Sequence, residues 1–378
     1  MSWGNWGKQL LANVAGTQEP IYGPTAIQPV KSTDALPYTE TTKEDLKWKG
    51  MSSTSVETQT FYFTTDSGHI AFAQVIYSNV AGIHTTCQFS SKILYPDGVT
   101  APLFCTDALS NHRFDKDKHN FYADNVSVEM SADGNSYTIK SSRSTKSIVN
   151  VTVTKLVPGF VVGDNGTTNY GENPSKPWGH IRHAFWPRCE AKGSFMTPAG
   201  EVRMDGRAML SHAMQAMKPH HAAATWNFVN FQSANYSAVL MEFTTPPSYG
   251  KTTVALGGIT SAEKIIYAGT GCTASHLEIK GDPEVNWPEP SAGSYSWKGK
   301  AKDGTEVDAT LIGSLGPRRD RIDIMAEVPK FVKSIVASAA GTRPYIYQFT
   351  PKLTLKLKVG DQEIEEEGTI FTEATFIS

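Results

Sequence analysis

Cysteine is scarce in this sequence, and the hydrophobic runs are short. The 378 residues include four cysteines, and no two of them form a C-x-x-C pair: Cys87, Cys105, Cys189 and Cys272. This spacing argues against a zinc site and against a disulfide framework. No apolar run reaches the roughly 20 residues that cross a bilayer. Because we also find no secretory leader with a cleavage site, we expect a chain of the reducing cytosol.

An excess of charge of either sign is missing as well. The 35 basic and 37 acidic residues leave a net charge of −2, so no strong field attracts nucleic acid. We therefore expect no nucleic-acid partner. Nucleophile-elbow, P-loop and dinucleotide-binding motifs are also absent from the sequence. Acyl, phosphoryl and hydride transfer are accordingly unsupported, and we expect no cofactor.

Glycine and proline, by contrast, are plentiful and separate short runs rich in Thr, Val, Tyr and Phe. The chain has 31 Gly and 21 Pro, with turn signals such as Asp66-Ser67-Gly68 and Lys302-Asp303-Gly304. Runs such as His84 to Leu94 and Ser237 to Thr244 have the composition of strands. The sequence has many short strand-like runs joined by hairpin turns, and strands do not alternate with helices. This pattern predicts an all-β protein of closed antiparallel barrels or sandwiches.

The N-terminus predicts an amphipathic helix. Trp3, Trp6, Leu10 and Val14 recur at spacings of three and four, with Leu11 beside them. This spacing places the large apolar side chains on one helical face. Since indoles favour the boundary between water and lipid, we expect the helix to bind a membrane surface. A terminal helix docked on the protein's own barrel is the alternative.

The central segment from Gly179 to Gln232 concentrates aromatic, methionine and histidine side chains and has almost no acidic ones. Because strand-like sequence lies on both sides, this segment suits the seam between two sheet domains. Its histidines do not predict a metal site, since no two of them stand four residues apart on a helix and no acidic ligand lies near. We therefore expect no metal.

These features divide the chain into four parts. We expect a membrane-targeting helix over 1–16, a linker or strap over 17–45, a first barrel domain over 46–220 and a second over 221–378. The strap is rich in Pro, Thr and Glu and shows no sustained period. Within the second domain a helix is predicted from Pro329 to Ala340, with Pro at its start and Gly341 after its end.

Four motifs resemble the fungal survival-factor family. They are QVIYSNVAG from Gln74, HAFWPR from His183, HAMQAMKPHHAAATWNFVNFQ from His212 and EGTIFTEATFI from Glu367. The stretch EPIYGP from Glu19 and the N-terminal helix fit as well, so the resemblance covers essentially the whole chain. It implies an all-β fold of two tandem lipocalin-like antiparallel β-barrels with an N-terminal amphipathic helix.

The resemblance also implies a function. The family is known as non-enzymatic carriers of ceramide or a related sphingolipid between endoplasmic reticulum and Golgi membranes, and as supporting survival under oxidative stress. We therefore expect a cytoplasmic protein that associates peripherally with both membranes, with a nuclear pool as a further option. The size of the fold agrees, because an eight-stranded barrel can hold one small apolar ligand.

Candidate lipid contacts combine polar groups for the head of a lipid with apolar walls for its tail. Core packing or contact between the barrels explains each of them at least as well, and Arg188 could instead stack on an indole. The polar candidates are Gln74, Gln88, Arg182, His183, Arg188, His212 and Gln215. The apolar candidates are Phe72, Tyr77, Phe89, Trp186, Met214 and Trp226. The candidate membrane contacts are Trp3, Trp6, Leu10, Leu11 and Val14.

Two other functions compete with lipid carriage. Fungal cyclases and hydratases that act on apolar small molecules resemble double lipocalins, and a shared fold does not settle function. In such an enzyme the region of His183 and His212 would supply the polar group aimed at a reacting atom. A scaffold that binds only protein would leave both barrels packed solid.

Overall fold

The computed structural model describes residues 19–80, 82–327 and 344–378. Over these ranges the chain forms two large antiparallel sheets of sixteen and eleven strands. The all-β, two-sheet prediction is confirmed. The predicted helices at the N-terminus and from Pro329 to Ala340 lie outside the described residues.

The first sheet is built from the N-terminal half of the chain. Its strands are β1 (Ile27–Gln28), β2 (Tyr38–Glu40), β3 (Ser55–Thr65), β4 (Ile70–Val80), β5 (His84–Leu94), β6 (Leu103–Ala108), β7 (Arg113–Phe114), β8 (Phe121–Ala123), β9 (Val126–Met130), β10 (Ser136–Ser144), β11 (Ser147–Lys155), β12 (Phe160–Val162), β13 (Thr167–Tyr170), β14 (Gly179–Thr197), β15 (Gly200–Arg203) and β16 (Gly206–Gln215). Their main order is β6-β5-β4-β3-β16-β14-β11-β10-β9-β8-β7. Within the predicted strap, β1 pairs with β13 and β2 pairs with β12.

This sheet curls until its two ends approach each other. Arg143 Nε on β10 donates a hydrogen bond of 3.0 Å to the carbonyl of Ala108 at the end of β6. Across the interior, Ser91 on β5 donates to Ser147 on β11 at 2.8 Å. These contacts join strands that are far apart in the order of the sheet, so the first sheet encloses an interior.

The second sheet follows the same plan in the C-terminal half. Its strands are β17 (Thr225–Gln232), β18 (Ser237–Thr244), β19 (Thr253–Thr260), β20 (Ile265–Gly269), β21 (Cys272–Gly281), β22 (Pro288–Lys300), β23 (Glu306–Ser314), β24 (Asp320–Asp323), β25 (Tyr345–Phe349), β26 (Lys352–Val359) and β27 (Gln362–Phe376). Their main order is β20-β19-β18-β17-β27-β26-β23-β22-β21. The indole of Trp297 on β22 donates to the carbonyl of Val239 on β18 at 2.9 Å, which closes this sheet across its interior.

Short helices occupy a few of the connections among the described residues. They are the 3₁₀ helices η1 (Pro24–Ala26), η2 (Lys43–Leu46) and η3 (Pro247–Tyr249), and the α-helices α1 (Pro219–Ala222) and α2 (Ile324–Glu327). The chain passes from the first sheet to the second through α1, between the end of β16 and the start of β17. The domain boundary placed at residues 220 and 221 stays a prediction.

The buried apolar side chains form three clusters. The first interior core lies inside the first sheet and includes Phe61, Val151 and Trp186. The second interior core lies inside the second sheet and includes Trp297 and Leu355. A third cluster, the seam core, contains residues of both sheets, and we call the interface that it fills the seam. Strands such as β4 are therefore covered on both faces, because one face lines an interior and the other, buried at Ile70 and Phe72 and partly buried beyond them, meets the second sheet.

Polar groups fasten the two sheets together across the seam. The guanidinium of Arg188 on β14 is fully buried and donates to the carbonyls of Ser233 and Ala234 and to the hydroxyl of Ser237. In return, the side chain of Gln232 donates to the carbonyl of Pro187 at 3.0 Å. The donors of Arg188 go to the β17–β18 turn and the start of β18, and the cation over the Trp186 ring is Lys155. The alternative of Arg188 stacked on an indole stays a prediction. The central segment thus supplies the ties between the sheets.

Candidate functional site

A cavity of about 180 Å³ lies in the seam, between the outer face of the first sheet and the edge of the second. We call it the seam cavity. Strands β3 to β6 form one side, and β24, β25, β27 and the start of α2 form the other. Its lining residues are Thr60, Tyr62, Phe72, Gln74, Ile76, Gln88, Ser90, Phe104, Thr106, Ile322, Ile324, Ile346, Gln348 and Glu373.

The register of the sheets explains why these residues meet. Residues directly opposite one another on antiparallel strands project to the same face. Tyr62 stands opposite Phe72, and Gln74 lies between Thr60 and Ser90. The even-numbered residues of β3, β4 and β5 therefore face the seam, while the odd-numbered ones fill the first interior core.

The surface of the seam cavity is mostly apolar, and hydroxyl and amide groups interrupt the wall of the first sheet at Thr60, Gln74, Gln88, Ser90 and Thr106. Phe72 and Phe104 pack edge to face at 6.3 Å between ring centroids. Tyr62 lies 5.0 Å from the ring of Phe228 and thereby connects this wall to the second sheet. The side chain of Gln74 donates to the hydroxyl of Thr60 at 2.6 Å, which turns the amide of Gln74 along the wall. This surface suits an apolar chain with a few polar atoms.

One end of the seam cavity is polar and carries charge. Gln348 donates to a carboxylate oxygen of Glu373 at 2.6 Å and accepts a hydrogen bond of 2.5 Å from the ammonium of Lys92. Lys92 also forms a salt bridge with Asp320. Lys92 comes from the first sheet and its partners come from the second, so this chain of contacts, which we call the polar end, crosses the seam.

Burial controls the charge of these groups. Burial raises the pKa of Glu373, and the hydrogen bond from Gln348 and the charge of Lys92 only partly oppose it. Burial lowers the pKa of Lys92, and Asp320 opposes that shift. Burial also raises the pKa of Tyr62, reinforced by the charge of Glu373. Each shift favours the uncharged form, as expected where water is excluded.

Three of the candidate lipid contacts line the seam cavity, namely Phe72, Gln74 and Gln88. They were chosen from β4 and β5, and the structure brings them together. Tyr77, Phe89 and Trp186 point the other way and belong to the first interior core. Trp226 lies in the seam outside this lining, where its ring packs 4.8 Å from that of Phe243.

The remaining candidates do not form a single site. Arg182 donates to the backbone carbonyls of Asp45 and Asn165. Gln215 donates to the carbonyl of Met217 at 3.4 Å. Met214 is buried at the end of β16, on the same side of the strand as His212. Most of these groups are held by contacts within the protein.

His183 and His212 lie on opposite faces of the first sheet. His212 pairs with Ala184, the neighbour of His183 on β14, so the two imidazoles project in opposite directions. His183 stacks on Phe185 in the seam, whereas His212 lies inside the first sheet next to Trp48. The two histidines therefore do not act together on one substrate.

His212 forms a buried hydrogen bond with Glu57. The ring Nε2 lies 2.9 Å from Glu57 Oε1, and both side chains are almost fully buried. The backbone N–H groups of Lys49 and Gly50 also donate to this carboxylate. Burial alone would raise the pKa of Glu57, but the bonds from His212 and the two backbone groups outweigh it and lower the pKa. Glu57 thus anchors the loop before β3.

Acid is expected to destabilise the fold through His183. Burial, reinforced by the nearby Arg182, lowers the pKa of His183 to about 3, against about 6.5 in an unfolded chain. Between these values the unfolded chain binds a proton that the folded chain does not, so stability falls as the pH falls. From pH 7 to pH 5 this costs about 2 kcal/mol. Urea unfolding of the wild type and His183→Phe at both pH values measures the difference.

The matched control for this measurement is His84→Phe, since His84 is exposed at the start of β5. It should keep the acid sensitivity of the wild type, whereas His183→Phe should lose about 2 kcal/mol of it. Equal sensitivity in all three proteins would show that His183 takes up a proton in the folded state.

Most of the residues that line the seam cavity were not predicted from the sequence. The missed residues lie on strands that are far apart from one another in the sequence, so no local spacing links them. They include Phe104, Ile322, Ile346, Gln348 and Glu373. One usable signal was the strand IAFAQVIYSNV from Ile70, which carries apolar residues on both faces. A strand of this kind must be covered on both sides, so its even-numbered face predicts an interface.

Two further features are absent from the residues that the structure describes. Among residues 19–80, 82–327 and 344–378, no group of three or more His, Cys, Asp or Glu side chains is arranged to hold a metal ion. Over the same part of the chain, no helix has the length and apolar character needed to cross a bilayer.

Comparison with solved structures supports the fold. The crystal structure of CghA with Sch210972 superposes with a TM-score of 0.62 and 12% identity, covering 96% of this chain and 98% of that one. The structure of an AttH protein from Nitrosomonas europaea gives a TM-score of 0.57 and 11% identity, covering 89% and 96%. At such low identity these likenesses concern the lipocalin-like fold alone.

Comparison with known sequences identifies the family of this protein. The ceramide-binding protein svf-1 of Neurospora crassa is 60% identical over 99% of this chain and 99% of its own length. The ceramide-binding protein svf1 of Emericella nidulans is 53% identical over 99% of this chain and its full length. The model of the Svf1 family matches residues 4–378. A match along nearly the entire chain, supported by relatives of the same length, shows that this protein belongs to the Svf1 family, as its motifs predicted.

Proposed function

We propose that this protein binds ceramide or a related sphingolipid in the seam cavity and carries it without catalysing a reaction. The observation that carries the proposal is a cavity with apolar walls and one polar end, in a chain 60% identical to a ceramide-binding protein. Ceramide has this division of chemistry, with hydrocarbon chains attached to a small head of hydroxyl and amide groups.

The energetics favour such a ligand. Each methylene that leaves water for the walls of Phe72, Phe104 and Ile346 contributes roughly 0.8 kcal/mol. The hydroxyl and amide groups of the head would each cost about 1–3 kcal/mol if they were buried unpaired. Hydrogen-bond donors and acceptors for these groups are available on Gln74, Gln348 and Glu373. The lining therefore offers apolar contacts for a hydrocarbon chain and polar contacts for a head group.

The volume also sets a condition on binding. A cavity of about 150 Å³ takes up one benzene-sized group, and the seam cavity measures about 180 Å³. A whole ceramide is larger, so its loading requires the wall formed by Ile322, Ile324 and Ile346 to move away from β4 and β6. Because that wall belongs to the second sheet, the movement is a shift of one sheet against the other along the seam.

Native mass spectrometry of the purified full chain, followed by lipid extraction, tests the proposal. We expect a sphingolipid to copurify in a stoichiometry of one lipid to one protein chain. A protein that is free of lipid in several independent preparations, and that fails to take up added ceramide, would contradict it.

We further propose that the protein moves its lipid between endoplasmic reticulum and Golgi membranes and thereby supports survival under oxidative stress. The family resemblance supports this step. In this proposal, the helix predicted at the N-terminus, with Trp3 and Trp6, makes the contact with the membrane. The location follows from the same proposal, with the protein cytoplasmic and bound peripherally to these membranes.

Replacing both indoles by carboxylates is expected to release the protein from membranes. In the double variant Trp3→Asp/Trp6→Asp, each indole that lies at the interface is exchanged for a charged group that is expelled from it. Flotation with neutral liposomes should recover the wild type with the lipid and leave the variant at the bottom of the gradient. The variant Trp178→Asp is the control, because Trp178 is a partly exposed indole outside the N-terminal helix. Equal flotation of the Trp3→Asp/Trp6→Asp variant would assign the membrane contact to another surface.

A further inference from the structure

Among the described residues that line the seam cavity, charge of only one sign is present. Of the described lining residues, Glu373 is the single carboxyl group, and none is Lys, Arg or His. Glu373 extends from β27, opposite Gln348 on β25, and Gln348 holds one of its oxygens at 2.6 Å. A lipid head that enters the cavity therefore meets a carboxyl group and amides, with no cation beside them in the lining.

The nearest cation is already engaged. Lys92 is almost fully buried, and its ammonium contacts the carboxylate of Asp320 and the amide oxygen of Gln348. Its third neighbour is the ring of Phe104, with the ammonium 5.1 Å from the centroid. Pulling Lys92 toward an incoming anion would leave Asp320 without its partner. The salt bridge thus withholds the positive charge of Lys92 from a ligand.

We propose that Glu373 makes the seam cavity selective for lipids with an uncharged head bearing hydroxyl or amide groups, and that it excludes lipids with a phosphate head. This inference rests on the function proposed above. A hydroxyl group of the lipid donates to Glu373, and an amide carbonyl accepts from Gln74 or Gln348. A phosphate would instead lie near a like charge in a desolvated site, where repulsion is strong because water does not screen it.

The proton on Glu373 does not reverse this preference. The titratable groups that interact with it are Lys92 on β5 and Tyr62 on β3, and Asp320 on β24 is the partner of Lys92. Burial raises the pKa of Glu373, so the carboxyl group is partly protonated at a higher pH than usual. In its neutral form it still accepts a hydrogen bond and also donates one, and it supplies no positive charge. The repulsion of a phosphate head belongs to the ionised form, so the preference for uncharged heads weakens as the pH falls and Glu373 takes up a proton.

The test compares two soluble short-chain probes that differ only in the head, fluorescent C6-ceramide and its 1-phosphate. Binding of each to the full-length wild type is titrated at pH 7 by fluorescence. We expect the wild type to bind the ceramide at least about tenfold more tightly, which corresponds to about 1.4 kcal/mol. The variant Glu373→Gln keeps the shape and the acceptor but loses the carboxylate. It should retain ceramide affinity within about threefold and reduce the discrimination by about fivefold or more.

The control is Glu367→Gln, an exposed position on the same strand that makes the same change in net charge. It should behave as the wild type. A second variant, Gln74→Lys, places a cation in the cavity from the opposite wall and should raise the affinity for the phosphate probe. Circular dichroism verifies that each variant is folded.

The outcomes separate the inference from the function. If the wild type binds the ceramide but Glu373→Gln and Gln74→Lys discriminate as strongly as it does, the inference is wrong and the lipid-binding function stands. The inference is also wrong if the wild type binds both probes equally. If the wild type binds neither probe, the proposed function fails and the inference falls with it.

Discussion

Replacing Ile76 with tryptophan is expected to reduce ceramide binding at least about tenfold while the protein stays folded. Ile76 lies on β4 and lines the seam cavity, so the larger indole takes up space that the lipid would occupy. Excluding only two methylenes from the walls already removes about 1.6 kcal/mol of binding free energy, which exceeds the 1.4 kcal/mol of a tenfold change. Titration with fluorescent C6-ceramide measures the loss, and thermal unfolding verifies the fold.

The same substitution at Ile312 serves as the control. Ile312 is 56% exposed on β23 and lies outside the cavity lining, so Ile312→Trp should bind ceramide as the wild type does. If Ile76→Trp binds ceramide with unchanged affinity, the lipid occupies another place, and the interiors of the two sheets become the sites to test. The prediction that the lipid lies inside a barrel is therefore tested by the same experiment.

Removing the carboxylate of Glu57 is expected to cost about 3–5 kcal/mol of folding free energy. In Glu57→Ala, His212 loses its buried partner and the backbone N–H groups of Lys49 and Gly50 lose their acceptor. The imidazole of His212 remains buried, so its desolvation is no longer compensated. Urea unfolding at pH 7 with matched slopes gives the free energy directly.

The control for Glu57→Ala is a carboxylate in an exposed ion pair. Glu365 lies 3.3 Å from Lys356, and both side chains are about two-thirds exposed, at 65% and 67%. Since exposed pairs contribute at most about 1 kcal/mol, Glu365→Ala should cost little. A loss below about 1 kcal/mol in Glu57→Ala would mean that water reaches His212 in the variant and replaces the carboxylate.

The strands could be predicted because their signal is local. The predicted strands His84 to Leu94 and Ser237 to Thr244 coincide with β5 and β18. The strand β26 likewise has an alternating pattern, with apolar residues at Leu353, Leu355, Leu357 and Val359. In each case the period of two and the flanking turn residues appear within about ten neighbouring positions, so no knowledge of the partner strand was needed.

The seam cavity could be predicted only in part. Phe72, Gln74 and Gln88 were identified because they lie on strands with a clear pattern, but Tyr77 and Phe89 carry the same chemistry and point into the first interior core. Alternation separates the two faces of a strand without saying which face meets an interior and which meets another sheet. That ambiguity is largest for β4, which is covered on both faces.

The amino-acid sequence by itself determined the all-β class, the two halves, the positions of many strands and the family, because each depends on local periodicity or on motifs along the chain. The tertiary structure alone decided that Gln348 and Glu373 meet Gln74 across the seam, that Lys92 is neutralised by Asp320, and that His183 and His212 face apart. These relations depend on how two curled sheets pack against each other. Packing of that kind is set by many weak contacts between distant residues, and no local pattern encodes it.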